Sequence, residues 1–132
     1  MKKLIFLSAF IVLTSLLGSQ AFAQADSAKV VSVEKFDKMK SKKKNVLLDI
    51  RTPEEIAEGQ IAGAGNIDFL DESFSQKIEQ LDKSKTYLLY CRTGKRTAKA
   101  GAAMKAAGFK KVYMLDGGLT AWQEQGKPIK ND

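Results

Sequence analysis

The chain has 132 residues, one cysteine, no histidine and a formal charge of +7, with 44% hydrophobic residues. Such a length and composition describe one small domain that can bury a single core. A lone cysteine forms no internal disulfide and holds no zinc by itself, and without histidine neither a Cys-His protease nor a histidine metal site is available. The lysines are spread over 38–44, the stretch after Cys91 and 105–111, with no interleaved aromatics, so they read as solvated faces and give nucleic-acid binding little support.

In chain order, Met1-Lys2-Lys3, the apolar stretch Leu4 to Leu17 and then Gly18-Ser19-Gln20-Ala21-Phe22-Ala23 have the three parts of a secretory signal peptide. The apolar stretch is shorter than the roughly 20 residues that span a bilayer and is interrupted by Ser8, Thr14 and Ser15, which favours cleavage before Gln24 over a retained anchor. The expectation is an exported, periplasmic protein with no membrane contact after cleavage: 1–23 signal peptide, 24–28 a polar flexible lead, 29–129 the domain. No cysteine lies near the cleavage site to carry a lipid.

The domain opens with Lys29 to Val33, a candidate edge strand, followed by a short amphipathic helix from Glu34 to Lys40. Asn45 to Ile50 is a continuous apolar run of strand length, as strands buried on both faces tend to be, and reads as the centre of the sheet. Thr52 with Glu55 forms a capping box, Pro53 takes the first helical position and Gly59 stops the helix. Ile61 to Ile67 predicts a turn and a short strand, and Asp71 to Leu81 an amphipathic helix with Phe74, Ile78 and Leu81 on one face. Lys111 to Asp116 reads as a last strand, Gly117-Gly118 as a tight turn, and Leu119 to Gln125 as a helix that carries Trp122 into the core. The alternation gives an α/β fold with a parallel sheet and crossover helices.

Between these elements lies Tyr87-Leu88-Leu89-Tyr90-Cys91-Arg92-Thr93-Gly94-Lys95-Arg96-Thr97: a buried strand ending at the only cysteine, a short basic loop, and a helix from Thr97 to Ala107 stopped by Gly108. The carboxyl end of such a strand is where ligands bind in open α/β sheets, and the following helix points its free amides at the loop. Only a thiolate is a useful nucleophile, and helix amides with Arg92, Lys95 and Arg96 close by favour that anion at Cys91. Gly94 permits the backbone to curl until successive N–H groups converge in an anion nest, and Thr93 and Thr97 offer hydroxyls. The plainer alternative is a buried structural cysteine. Asp49 and Arg51 also stand at a strand's carboxyl end; they either face the same pocket or pair with each other and with backbone to hold the loop, and the second role is favoured.

The run Cys91 to Thr97 resembles the active-site loop of single-domain rhodanese sulfurtransferases, and two further segments match in order: Leu48 to Ile61, and Asp116-Gly117-Gly118-Leu119-Thr120-Ala121-Trp122. Together they frame nearly all of Lys29 to Ile129. Gln60 and Ala62 depart from the family pattern, which usually carries His and Pro there. The resemblance implies a mostly parallel sheet of about five strands with helices on both faces, and a sulfurtransferase of the thiosulfate type. In it, Cys91 is the nucleophile and persulfide carrier, and Arg92, Thr93, Gly94, Lys95, Arg96 and Thr97 form the substrate- and persulfide-binding loop. Its partners are a small anionic sulfur donor and a thiophilic acceptor such as cyanide, a thiol or an acceptor protein, with no metal and no organic cofactor. A sulfur-relay module without its own small-molecule turnover would share every one of these residues. Phosphatases and arsenate reductases use a similar nest, but the loop here is one residue shorter than theirs between cysteine and arginine, which suits a sulfur atom better than a tetrahedral oxyanion.

Overall fold

The computed structural model describes residues 27–131. The expected signal segment 1–23 and the first three residues of the lead lie outside the described residues. Ten elements alternate along the chain: β1 (Lys29–Val31), α1 (Val33–Lys40), β2 (Val46–Asp49), α2 (Pro53–Ala57), β3 (Gly65–Asn66), α3 (Phe74–Glu79), β4 (Thr86–Tyr90), α4 (Lys95–Ala106), β5 (Lys111–Leu115) and α5 (Gly118–Glu124). The strands form one sheet in the order β1-β5-β4-β2-β3, and every pairing is parallel. The α/β class and the five-stranded parallel sheet are therefore as the sequence and its resemblance indicate.

Local chemistry sets the helix starts. Ser32 caps α1 by accepting from Lys35 N at 3.2 Å. At α2 the Thr52 hydroxyl accepts from Glu55 N while the Glu55 carboxylate accepts from Thr52 N, and Pro53 fills the first turn. Gly94 stands at the N-cap of α4 and Gly117 at that of α5, both with positive φ and neither with a side-chain cap.

One sequence expectation is corrected. The central strand is β4, with β2 beside it. Both are short apolar runs, so composition does not rank them; topology does, because β2 has on its outer side only the two-residue β3. β4 is buried on both faces, and its side chains alternate. Tyr87 and Leu89, with Cys91 after them, pack with Phe74, Ile78, Ala100, Met104 and Phe109 beneath α3 and α4. Leu88 and Tyr90 pack with Phe36, Leu119 and Trp122 beneath α1 and α5. The pleat thus divides the core into two layers and fixes which layer receives Cys91.

Trp122 anchors the second layer. It is 1% exposed, meets Phe36 edge-on at 6.4 Å between ring centres, and donates its indole N–H to Pro128 O at 2.8 Å. Beyond it the chain returns to the body, where Gln60 and Lys130 exchange backbone hydrogen bonds of 3.0 and 2.7 Å. Trp122→Ala removes both the ring packing and the indole donor, and urea unfolding is expected to show a loss of about 3 to 5 kcal/mol. A loss below about 1 kcal/mol would mean that the ring is not part of the core.

Candidate active site

β4 delivers Cys91 to the carboxyl edge of the sheet, where its side chain is 1% exposed. Gly94, at φ +108°, turns the chain so that its own N–H points back and donates to Cys91 Sγ at 3.1 Å. α4 begins at Lys95, two residues earlier than the sequence indicates, so Lys95, Arg96 and Thr97 form its first turn rather than loop. The first helical bond is that of Ala98 N to Gly94 O, which leaves the three preceding amides without an intrahelical acceptor. Thr97 is buried; its hydroxyl donates to Gly94 O at 2.9 Å and accepts from the Cys91 thiol at 3.9 Å. Thr93 is exposed at the tip.

The loop is held from the other side by α5. Leu119 N donates to Cys91 O at 2.8 Å, and Thr120 N to Arg92 O at 3.0 Å. A Cβ on Gly118 would lie 2.6 Å from Cys91 O and from Arg92 C and O, so only glycine lets α5 approach this closely. The sequence showed Gly117-Gly118 as a turn but not as a clamp on the cysteine loop. The signal was the two glycines ahead of a helix start.

The three loop cations, read together from the sequence as favouring an anion at Cys91, divide by partner. Arg96 makes a bidentate pair with Glu55, at 2.9 and 3.0 Å. Arg92 lies 3.5 Å from Glu55 and 3.6 Å from Glu58. Lys95 is exposed and, among the described residues, has no ion-pair partner. The Arg96 side-chain bond holds the Glu55 carboxyl below its usual range, helped by the Thr52 amide and the Arg92 charge against partial burial. Arg96 is raised in turn, first by Glu55 and to a lesser extent by Cys91 nearby. Glu55 escaped the sequence reading because its capping role already accounted for it.

Asp49 and Arg51 form a buried pair. Arg51 Nη2 lies 2.7 Å from Asp49 Oδ2, Nε donates to both carboxylate oxygens, and Arg51 N donates to Asp49 Oδ1. Nη2 also reaches Gly59 O at 2.8 Å, and the guanidinium sits 5.7 Å from the centre of the Tyr90 ring. Burial opposes the charge on Arg51, but the bond to Asp49 with its Coulomb attraction outweighs it, and Arg51 titrates above its ordinary value. Burial pushes the Tyr90 hydroxyl up as well, while it accepts from Ile61 N at 3.0 Å. This pair ties the end of β2 to the segment after α2. Gln60, at a position that departs from the family pattern, keeps a buried Nε2 without a partner.

Two depressions flank the loop. One of about 220 Å³ is lined by Thr93, Gly94, Lys95 and Thr97 with Met114 and Gly117; one of about 100 Å³ is lined by Arg51, Glu58, Arg92 and Thr120 among others. Cys91 lines neither, so the sulfur lies under its own loop. Among the described residues no cluster of His, Cys, Asp or Glu is able to hold a metal ion.

The fold and site together are those of a parallel α/β domain that buries its one cysteine at the carboxyl edge of the central strand, just before a helix N-terminus. The chain belongs to the rhodanese-like domain family, whose model matches residues 32–125. YtwF of Bacillus subtilis (strain 168), which carries a provisional sulfurtransferase name, is 37% identical over 92 residues, covering 70% of this chain and 86% of that protein. Thiosulfate sulfurtransferase GlpE of Pseudomonas putida (strain KT2440) is 33% identical over 85 residues, covering 64% of this chain and 76% of that protein. The crystal structure of a rhodanese-related protein from Thermoplasma volcanium superposes with a TM-score of 0.70 at 27% identity, covering 79% of this chain and 99% of that one.

Glu55→Gln is expected to release Arg96 and Arg92 together and to lower stability by about 1 to 2 kcal/mol in urea unfolding. Because the folded-state Glu55 is held low, its stabilising share is fully present above the ordinary carboxylate range and is lost as the pH falls through the folded value. Wild type should therefore lose its advantage over the variant on acidification. An advantage unchanged in acid would show that the ion pair contributes nothing.

Proposed function

We propose that this chain is a rhodanese-like sulfurtransferase whose carrier is Cys91. The observation that carries the reading is the Gly94 N–H, at the N-cap of α4, donating to Cys91 Sγ, a setting that suits a negative sulfur. The Cys91 thiolate attacks the outer sulfur of thiosulfate; its bond to the sulfonate sulfur breaks, and sulfite leaves with the electron pair. The new terminal sulfur carries the negative charge of a persulfide, which the amides and Lys95 stabilise. Cyanide or a thiolate then attacks that terminal sulfur, takes it as thiocyanate or as a new persulfide, and returns the Cys91 thiolate. No other group needs to supply electrons.

Lys95 is the steering cation for the anionic donor, since Arg92 and Arg96 are engaged by carboxylates. The short spacing from Cys91 to Arg96 favours sulfur over phosphoryl chemistry. The kinetics of two variants with thiosulfate and cyanide test the reading. Cys91→Ser should abolish turnover and gain no mass, whereas wild type gains about 32 Da on reaction with the donor. Lys95→Ala should raise KM for thiosulfate several-fold, with an effect that shrinks in salt, while still forming the persulfide. Turnover in Cys91→Ser would sink the enzyme reading, and persulfide formation without turnover of any small acceptor would reassign the chain to sulfur relay.

The proposed setting is outside the cytoplasm, supported by the small residues Ala21 and Ala23 after the apolar stretch. Intact mass of the chain recovered from its native host should place its first residue at or near Gln24. A mass that includes Leu4 to Leu17 would make it an anchored domain.

A further inference from the structure

Because the sheet is wholly parallel, every strand starts at the end of the molecule opposite Cys91, and lysines dispersed along the sequence meet there. Lys44 stands just before β2, Lys85 just before β4, Lys110 and Lys111 at the start of β5, and Lys29 at the start of β1. The register places Thr86 beside Lys111 and Val46 beside Tyr87, so these starts are neighbours in space. A depression of about 430 Å³ is lined by Lys43, Lys44, Lys85 and Lys111, and a second of about 200 Å³ by Lys29, Lys105, Lys110 and Lys111. They share Lys111, and among the described residues no carboxylate lines either one. Lys42, Lys43, Lys44, Lys85, Lys110 and Lys111 are all exposed. Two acids stand nearby: Glu79 pairs with Lys83, and Asp82, which accepts from Ser84, offsets part of the Lys85 charge, so the lysines outnumber the carboxylates here.

The cations are sorted by type as well as by number. Arg51, Arg92 and Arg96, the only arginines in the chain, all lie toward the Cys91 end. The opposite end carries lysine alone. Lysines are flexible, strongly hydrated point charges without a fixed fork, so a broad field of them suits an extended anionic surface better than one shaped anion. The path of the chain names that surface. Ser27 borders the second depression, so residues 1–26, with the apolar stretch Leu4 to Leu17, join the domain at this same end. A leader engaged with a bilayer brings the lysines to the lipid headgroups.

We propose that this lysine-bearing end is a docking surface for an anionic phospholipid bilayer, which holds the domain with Cys91 turned away from the lipid. The proposal departs from the expectation of no membrane contact after cleavage, and it is independent of the sulfur chemistry. Lysines close to such a surface add attraction one by one, and the sum is screened within a Debye length.

The test uses the chain recovered after export, its N-terminus read by intact mass, in sedimentation with vesicles. Wild type should bind vesicles of mixed phosphatidylglycerol and phosphatidylcholine, fail to bind phosphatidylcholine alone, and come off in about 1 M salt. Lys44→Glu with Lys111→Glu should weaken binding at least about tenfold. Lys35→Glu with Lys77→Glu, an equal charge change elsewhere on the surface, should weaken it much less. Thermal unfolding of both variants confirms that they are folded. The proposal is overturned if wild type ignores the anionic vesicles, if both double variants weaken equally, or if a poly-glutamate peptide or a DNA duplex is bound more tightly than the vesicles.

Discussion

Two amide bonds from the start of α5, to the carbonyls of Cys91 and Arg92, hold the backbone at the point where the chain leaves the sheet. Much of the fold can be followed outward from them. They require a residue without Cβ at Gly118, and they set the direction in which α5 carries Trp122 against Phe36. The Trp122 indole fixes Pro128, and the tail beyond it pairs with Gln60. Gly59, just before Gln60, accepts from Arg51, which is bound to Asp49 at the end of β2. β2 in turn pairs with β4, which ends at Cys91. The contacts form a closed circuit around the carboxyl edge of the sheet, so a disturbance at any link reaches the cysteine loop through packed neighbours rather than through solvent.

The electrostatics are divided along the strand direction. Toward the carboxyl end, positive charge is placed against specific carboxylates: Arg96 and Arg92 on Glu55, Arg92 on Glu58, Arg51 on Asp49. The Gly94 N–H faces the sulfur, and Lys95 beside the loop has no carboxylate partner among the described residues. The paired ions hold the shape of the loop, and the first amides of α4 keep no acceptor within the helix. At the amino end, lysines from several strand starts gather in one field, with Asp82 within electrostatic reach of Lys85. Net charge alone does not show this division.

What could be read from the sequence was local. Caps, proline and glycine positions, and short apolar runs gave each element because each acts over a few neighbouring residues. Cys91 with its basic, glycine-containing loop was visible for the same reason. The central position of β4 was hidden, since β2 has an equally apolar run and only tertiary pairing separates them. Glu55 was hidden because its partner Arg96 is 41 residues away. The start of α4 was placed late because Gly94 caps by backbone shape, not by a side chain that announces it. The lysine field was invisible for a geometric reason: only a parallel sheet gathers the residues before several strands at one end.

The buried pair of Asp49 and Arg51 constrains how a lineage carrying this domain can change. Losing either partner alone strands a charge in the interior, at a cost of about 3 to 5 kcal/mol, comparable to the whole stability of many small domains. Replacing both at once by apolar residues of similar volume is close to neutral. Descent by single substitutions therefore meets a barrier at these two positions that descent by paired substitutions does not. Even where one partner survives a neutral exchange, Arg51 also answers to Gly59 and Tyr90, so the arginine is the member that drift is least free to replace.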